Sequence, residues 1–98
     1  AKILMQASSG LTEAPAAENW EAAQRISLLD NEITEISGTP VCPHLSTLLL
    51  QWNSGLNKIS ENFFQYMPNL KVLDLSLTSL REIQKNIVNL AEFQHHDL

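Results

Sequence analysis

The stretch Leu70-Lys-Val-Leu73-Asp-Leu75 repeats the spacing of Leu45-Ser-Thr-Leu48-Leu-Leu50, which stands one step before it. Both read L-x-x-L-x-L. A further step upstream from Leu45 reaches Ala23, then Ile26 and Leu28, apolar at all three places. A step downstream from Leu70 reaches Phe93, His96 and Leu98, with one polar member. The last column is Leu28, Leu50, Leu75 and Leu98, and its members recur at nearly equal separations. Within each unit the x-L-x-L-x part has the alternation of a short strand, in which successive side chains face opposite ways.

Further columns run alongside. Asn31 and Asn53 follow Leu28 and Leu50 at the same spacing, and Thr78 takes that place after Leu75. Ile33, Leu56 and Leu80 come next, with one extra residue in the second unit, then Ile36, Ile59 and Ile83. Ahead of each unit stand Trp20, Cys42, Met67 and Leu90. Leucine-rich strands alone would also suit an ordinary α/β domain, because these separations leave room for crossovers of about a dozen residues. The recurrence of Asn and of the outer apolar columns argues instead for a leucine-rich repeat. Every separation in the last leucine column falls inside that repeat's period of roughly 20 to 29 residues. The expected fold is α/β: a solenoid with short parallel strands on its concave face and irregular or short helical convex segments. Leucines of successive coils stack into one core. The Asn amide is suited to bond backbone groups left unpaired where the chain bends, and Thr78 can do only part of that.

At 98 residues the chain makes one domain at most. Its net charge of −5 disfavours nucleic acid, whose binding rests on neutralising phosphates, and disfavours a polybasic membrane anchor. Cys42 is the only cysteine, so there is no internal disulfide and no zinc spacing. That fits a reduced compartment. No apolar run approaches the roughly 20 residues of a membrane span. The start at Ala1 and the stop at Leu98, on a repeat position, read as cuts within a longer chain. Pro15 suits the first turn of a helix, so residues 16–23 are expected to form a short helical cap, with Trp20 covering the first coil. Repeats fill residues 23–98, about three complete and one truncated.

Candidate sites divide by face. His95, His96 and Asp97 suggest a metal site, but adjacent strand residues point to opposite faces, so the two imidazoles do not converge. Cys42 sits in a core column and reads as an inert filler rather than a reactive thiol. Asp30, Glu32 and Glu35 read as solvated surface, with nothing apolar beside them to raise a pKa. No spacing suggests a nucleophile, so no catalytic, cofactor or metal residue is assigned and no enzyme activity is expected. The concave face is the better candidate. Its outward positions are Arg25, Ser27 and Leu29; Thr47, Leu49 and Gln51; Val72, Asp74 and Ser76; then His95 and Asp97. Just past the strands come Asp30, Trp52 and Leu77. Stacking would bring Leu49, Trp52 and Leu77 together where water reaches them. Exposed apolar clusters mark interaction sites, and Trp is enriched in binding hot spots. Either a separate partner or a neighbouring part of the same parent could cover them.

Several stretches carry a resemblance. Gly10-Leu-Thr-Glu-Ala-Pro15, Ala17-Glu-Asn-Trp20, Arg25-Ile-Ser-Leu-Leu-Asp-Asn31, Cys42-Pro-His-Leu-Ser-Thr-Leu-Leu-Leu50 and Phe63-Phe-Gln-Tyr-Met-Pro-Asn-Leu-Lys-Val-Leu-Asp-Leu-Ser76 are similar to plant nucleotide-binding leucine-rich-repeat disease resistance proteins. The likeness is to the coiled-coil subclass that includes the Pseudomonas syringae resistance proteins. In that family a coiled coil and a nucleotide-binding switch precede the repeats. The resemblance implies that residues 1–15 are the end of the switch module and a linker. It also implies a family ATP/ADP site upstream of this chain, which itself lacks the phosphate-binding loop G-x-x-x-x-G-K-[ST] and is expected to hold no cofactor. The implied partners are proteins: a pathogen effector, a guarded host protein, or the receptor's own switch domain. The implied location is the cytoplasm, free or held at the plasma membrane through the parent. The family often has Pro after the residues occupied here by Ile36, Ile59 and Ile83, where this chain has Ser37, Ser60 and Gln84, and His96 stands where the family has Leu.

The expected role is a protein-interaction module in immune sensing and in restraint of the switch. The alternative is an inert solenoid piece of a partial repeat protein. Circular dichroism should show strand and irregular signal with little helix, and a mostly helical spectrum would contradict the repeat assignment.

Overall fold

A three-residue strand buries too little apolar surface to persist alone, so each one depends on the coil before and the coil after it. The computed structural model describes residues 2–80 and 92–94. Among them the strands are β1 (Ile3–Met5), β2 (Arg25–Ser27), β3 (Glu35–Ile36), β4 (Thr47–Leu49), β5 (Lys58–Ile59), β6 (Val72–Asp74) and β7 (Glu92–Gln94). A five-stranded sheet runs β1-β2-β4-β6-β7, and β3 pairs with β5 in a second sheet. All pairings are parallel. This is the leucine-rich-repeat solenoid that the columns predict, with almost no helix.

The register follows the leucine column. Leu4, Ile26, Leu48 and Leu73 stand opposite one another in successive strands. Ile26, Leu48 and Leu73 are fully buried, as are Leu28, Leu45, Leu50, Ile33 and Leu56. Fully burying a Leu or Ile side chain contributes about 1.5–3 kcal/mol, so the stacked columns dominate the favourable side of folding. Trp20, Cys42 and Met67 fill the outer column on the convex side. Phe63 joins them edge-on, its ring centroid 5.6 Å from Trp20 and 5.1 Å from Phe64. Burial pushes the Cys42 thiol up to about 11, which makes it a core filler that stays protonated at neutral pH.

The polar column ties coil to coil. The Asn31 side-chain oxygen accepts the N–H groups of Ser9 and Leu11, and its amide donates to the carbonyls of Gln6 and Leu28. The Asn53 oxygen accepts the N–H of Ile33, and its amide donates to Leu28 and Leu50. Each Asn therefore bonds its own coil and the preceding one. Thr78 donates only to Leu75, within its own coil. The extra residue of the second unit is taken up at Gly55, where an added Cβ would lie 3.4 Å from Thr34. The N–H of Leu56 then bonds back to the Asn53 carbonyl, and Ile36 and Ile59 meet again in register.

Two expectations are corrected, and one segment gains detail. Residues 1–15 supply β1, which pairs with β2, and bond the Asn31 side chain through Gln6, Ser9 and Leu11. The helix expected over residues 16–23 is one 3-10 turn, Ala17–Asn19, followed by a turn closed from Ala23 to Trp20. So short a segment cannot propagate a helix unaided. Trp20 instead lies buried in the convex column, its Nε1–H donating to the Pro15 carbonyl, while β1 forms the end of the sheet. The last strand pairs Phe93 opposite Leu73, upstream of the place assigned to His96. That register puts Phe93 at the place in the column expected of His96. His96 lies outside the described residues.

Asn53→Ala should destabilise the chain by at least about 2 kcal/mol, since several buried backbone groups lose their partner at about 1–3 kcal/mol each. Thr78→Asn should add about 1 kcal/mol by extending the inter-coil bonds to the third unit. Urea unfolding followed by Trp fluorescence reads both, and loss of stability in Thr78→Asn would show that the third coil cannot admit the longer side chain.

Candidate functional site

The strand pairing lays out the concave face as rungs. The first outward rung is Ile3, Arg25, Thr47 and Val72, and the second is Met5, Ser27, Leu49 and Asp74. Neighbouring members stand about 4.8 Å apart, the spacing of paired strands. Beyond the strands come Leu29, Gln51 and Ser76. The chain then turns at Ser8, Asp30, Trp52 and Leu77, which share a left-handed backbone with φ of 52°, 55°, 67° and 57°.

That turn has a consistent cause. The N–H groups of Ser8, Asp30 and Trp52 donate to the carbonyls of Leu29, Gln51 and Ser76 in the next coil, at 3.1, 3.0 and 3.0 Å. The left-handed residue continues the ladder by one more bond, and the next residue, Asn31, Asn53 or Thr78, is then buried. A bulky side chain at positive φ is strained by about 1–3 kcal/mol and persists only where surrounding bonds over-determine it. The buried polar column supplies those bonds. In the second coil the outcome is an indole held out at the mouth of the concave face, with Trp52 54% exposed. Leu77 takes the equivalent turn position in the next coil and Leu49 lies three residues before Trp52, and both are half-buried.

Most of the expected face is where the alternation puts it. Arg25 is exposed, and Leu29, Thr47, Gln51, Val72, Asp74 and Ser76 are half-buried. Ser27 is a correction: it is 3% exposed and offers little to a partner. Its side chain is short, and the register sets it between the larger Met5 and Leu49. Asp74 is partly engaged, its Oδ1 accepting the N–H of Ser76 at 2.9 Å. Asp30 accepts the Ser8 hydroxyl at 2.7 Å. Gln51 carries a buried side-chain oxygen with no hydrogen-bond partner among the described residues. His95 and Asp97 lie outside the described residues.

Sequence reasoning missed two members of this face. Ile3 and Met5, on β1, are 59% and 64% exposed and extend the apolar surface past Ser27. Their only signal was Leu4, one repeat step before Ile26, because the flanking column positions, Ala1 and Gln6, are not leucine. Away from this face, a cleft of about 660 Å³ opens beside β3, with Trp20, Ile36 and Phe63 among its lining residues. Among the described residues no group of three or more His, Cys, Asp and Glu could hold a metal, and no helix is long and apolar enough to cross a membrane.

Comparison with known proteins places this geometry. The leucine rich repeat family profile matches residues 43–95. The chain is 46% identical over 102 residues to the probable disease resistance protein At4g14610 of Arabidopsis thaliana, covering 98% of the chain and 14% of that protein. It is 46% identical over 98 residues to the disease resistance protein RFL1 and 43% identical over 98 residues to the disease resistance protein SUMM2, both of Arabidopsis thaliana. Each of those matches covers 99% of the chain and 11% of the relative. The chain thus spans only 11–14% of the length of these relatives. No solved structure matches it significantly.

The facing of the strands separates two classes of substitution. Leu50→Ala should lose about 2–5 kcal/mol, the usual range for truncating a buried Leu. Trp52→Asn should hold or gain up to about 1 kcal/mol, because Asn accepts a left-handed backbone more readily than a bulky residue. Chemical unfolding of both variants compares them directly, and an equal loss would show that Trp52 is part of the packed core.

Proposed function

Because this chain belongs to the leucine-rich-repeat family, we propose that it acts as a protein-interaction module of a plant disease resistance receptor, docking another protein surface on Leu49, Trp52 and Leu77. The observation that carries this reading is the exposure of Trp52 on a strained backbone, at the mouth of a concave face that also carries the half-buried Leu49 and Leu77. An isolated monomer gains nothing from that arrangement, since the strain costs stability and the indole stays in water. A docking partner would desolvate it, and Trp is among the residue types most enriched in interface hot spots, each worth about 2 kcal/mol or more.

The likeness to Arabidopsis disease resistance proteins sets the setting. The partner is a pathogen effector, a guarded host protein, or the receptor's own nucleotide switch domain. The module senses by preferring one state of that switch: a surface that docks more tightly in one state shifts the population by its difference in affinity and by no more. Moving an equilibrium from 1:99 to 99:1 takes about 5.5 kcal/mol, within reach of two or three hot spots acting together.

Leu49→Ser, Trp52→Ala and Leu77→Ser, introduced together into the full receptor and expressed in leaf tissue, should leave protein level unchanged. Constitutive cell death is expected if the patch docks inside the receptor, and loss of the pathogen response with a quiet resting state if it docks a separate protein. Unaltered resting state and response would overturn the proposal and favour an inert structural segment.

A further inference from the structure

Cations gather at one rim of the concave face, while Asp74 stands on the face itself, its Oδ1 accepting the N–H of Ser76. Lys2 precedes β1, Arg25 opens β2, and Lys71 precedes β6, so three cations line the edge where the strands begin. All three are exposed. The backbone marks the same edge: the carbonyl of Lys2 accepts the N–H of Arg25, and the carbonyl of Ser46 accepts the N–H of Lys71. Among the described residues the one ion pair is Lys58–Glu35, between β5 and β3 in the second sheet. The three rim cations therefore have no carboxylate partner there, in a chain whose net charge is −5. The opposite rim, where the strands end, carries Asp30 and Glu32. In register, Glu92 is the direct partner of Val72, on the strand next to the one that Lys71 precedes.

We infer that the concave surface takes an extended acidic segment of a partner protein, its carboxylates along Lys2, Arg25 and Lys71 and an aromatic or large aliphatic anchor on Leu49, Trp52 and Leu77. This rests on the docking role proposed above and names the chemistry of the partner. Charge complementarity selects it: a basic segment would be repelled at the strand-start rim, and a neutral one would leave three cations without counter-charges. Apolar and cationic regions lie at the two ends of the same strands. From the level of Arg25 to that of Trp52 is about five residues of extended chain, about 16 Å. A partner segment running along the strands would thus carry Asp or Glu about five residues from its anchor. Each exposed charge pair adds little affinity alone, and its main effects are orientation and encounter rate, which weaken with salt.

The test selects twelve-residue random peptides displayed on phage against the 98-residue chain, then measures synthetic versions of the enriched peptides by fluorescence anisotropy. Enriched peptides should pair Phe, Trp or Leu with Asp or Glu four to six residues away. Their affinity should fall at least tenfold in the Arg25→Glu, Lys71→Glu chain and in Trp52→Ala, and should fall as salt rises from about 50 to about 300 mM. Circular dichroism confirms that each variant keeps its fold, and Arg25→Gln serves if charge reversal disturbs it. If binding needs Trp52 but ignores the rim charges, or if basic peptides are enriched, the acidic partner is wrong and the docking role stands. If no peptide is enriched, or binding ignores Trp52 as well, both readings fall.

Discussion

A buried amide holds the coils in step. Asn31 and Asn53 each satisfy backbone groups of two successive coils, at the point where the chain leaves the sheet and turns into the core. Leucine stacking is non-directional and would tolerate sliding of one coil against the next. The amide does not, because a displaced coil would bury unpaired N–H and carbonyl groups. Apolar columns supply the energy of this solenoid, and the polar column supplies its geometry.

The exposed site follows from that constraint. Where Asn31 and Asn53 are buried, the residue before each takes a left-handed backbone, and Ser8 and Leu77 share that backbone in the flanking coils. Glycine would adopt that conformation without strain. The chain places Ser, Asp, Trp and Leu there instead, and the side chains so displayed form the upper edge of the concave surface. Structural need creates the display position, and the choice of residue decides what is displayed. The same coil geometry can thus carry different surfaces without changing its core, the way repeat proteins vary what they bind.

The third unit departs from this scheme in a local way. Thr78 bonds its own coil, so the link from β6 back to β4 lacks the buried amide and rests on strand pairing, leucine contacts and Ser79, whose hydroxyl and N–H donate to the carbonyls of Ser54 and Leu56. Leu77 before it keeps the left-handed backbone all the same. The concave face therefore continues past the gap, and Leu77 keeps the turn position one coil on from Trp52 although the polar column beneath it is weaker. No physical reason for Thr at this position is visible in the structure.

The columns of Leu, Ile and Asn were enough to determine the repeat, the strands of the central coils, their register and the burial of Cys42, because period and polarity are local properties of the chain. Arg25, Thr47, Leu49, Gln51, Val72, Asp74 and Ser76 were placed on one face by alternation alone, and Trp52 and Leu77 by their position just past the strands. Other features lay beyond that reach. Coil β1 carries a single column residue, Leu4, and is defined by what Asn31 bonds in the coil before its own. Ser27 was lost from the surface to its register neighbours, and the segment 16–23 gave up its helical pattern to bury Trp20 against Phe63. The left-handed turn, which holds the indole in water, comes from hydrogen bonds between coils and from an Asn that must be buried. Those are long-range demands, and no local propensity of Trp or Leu would predict them, because both residues disfavour that backbone.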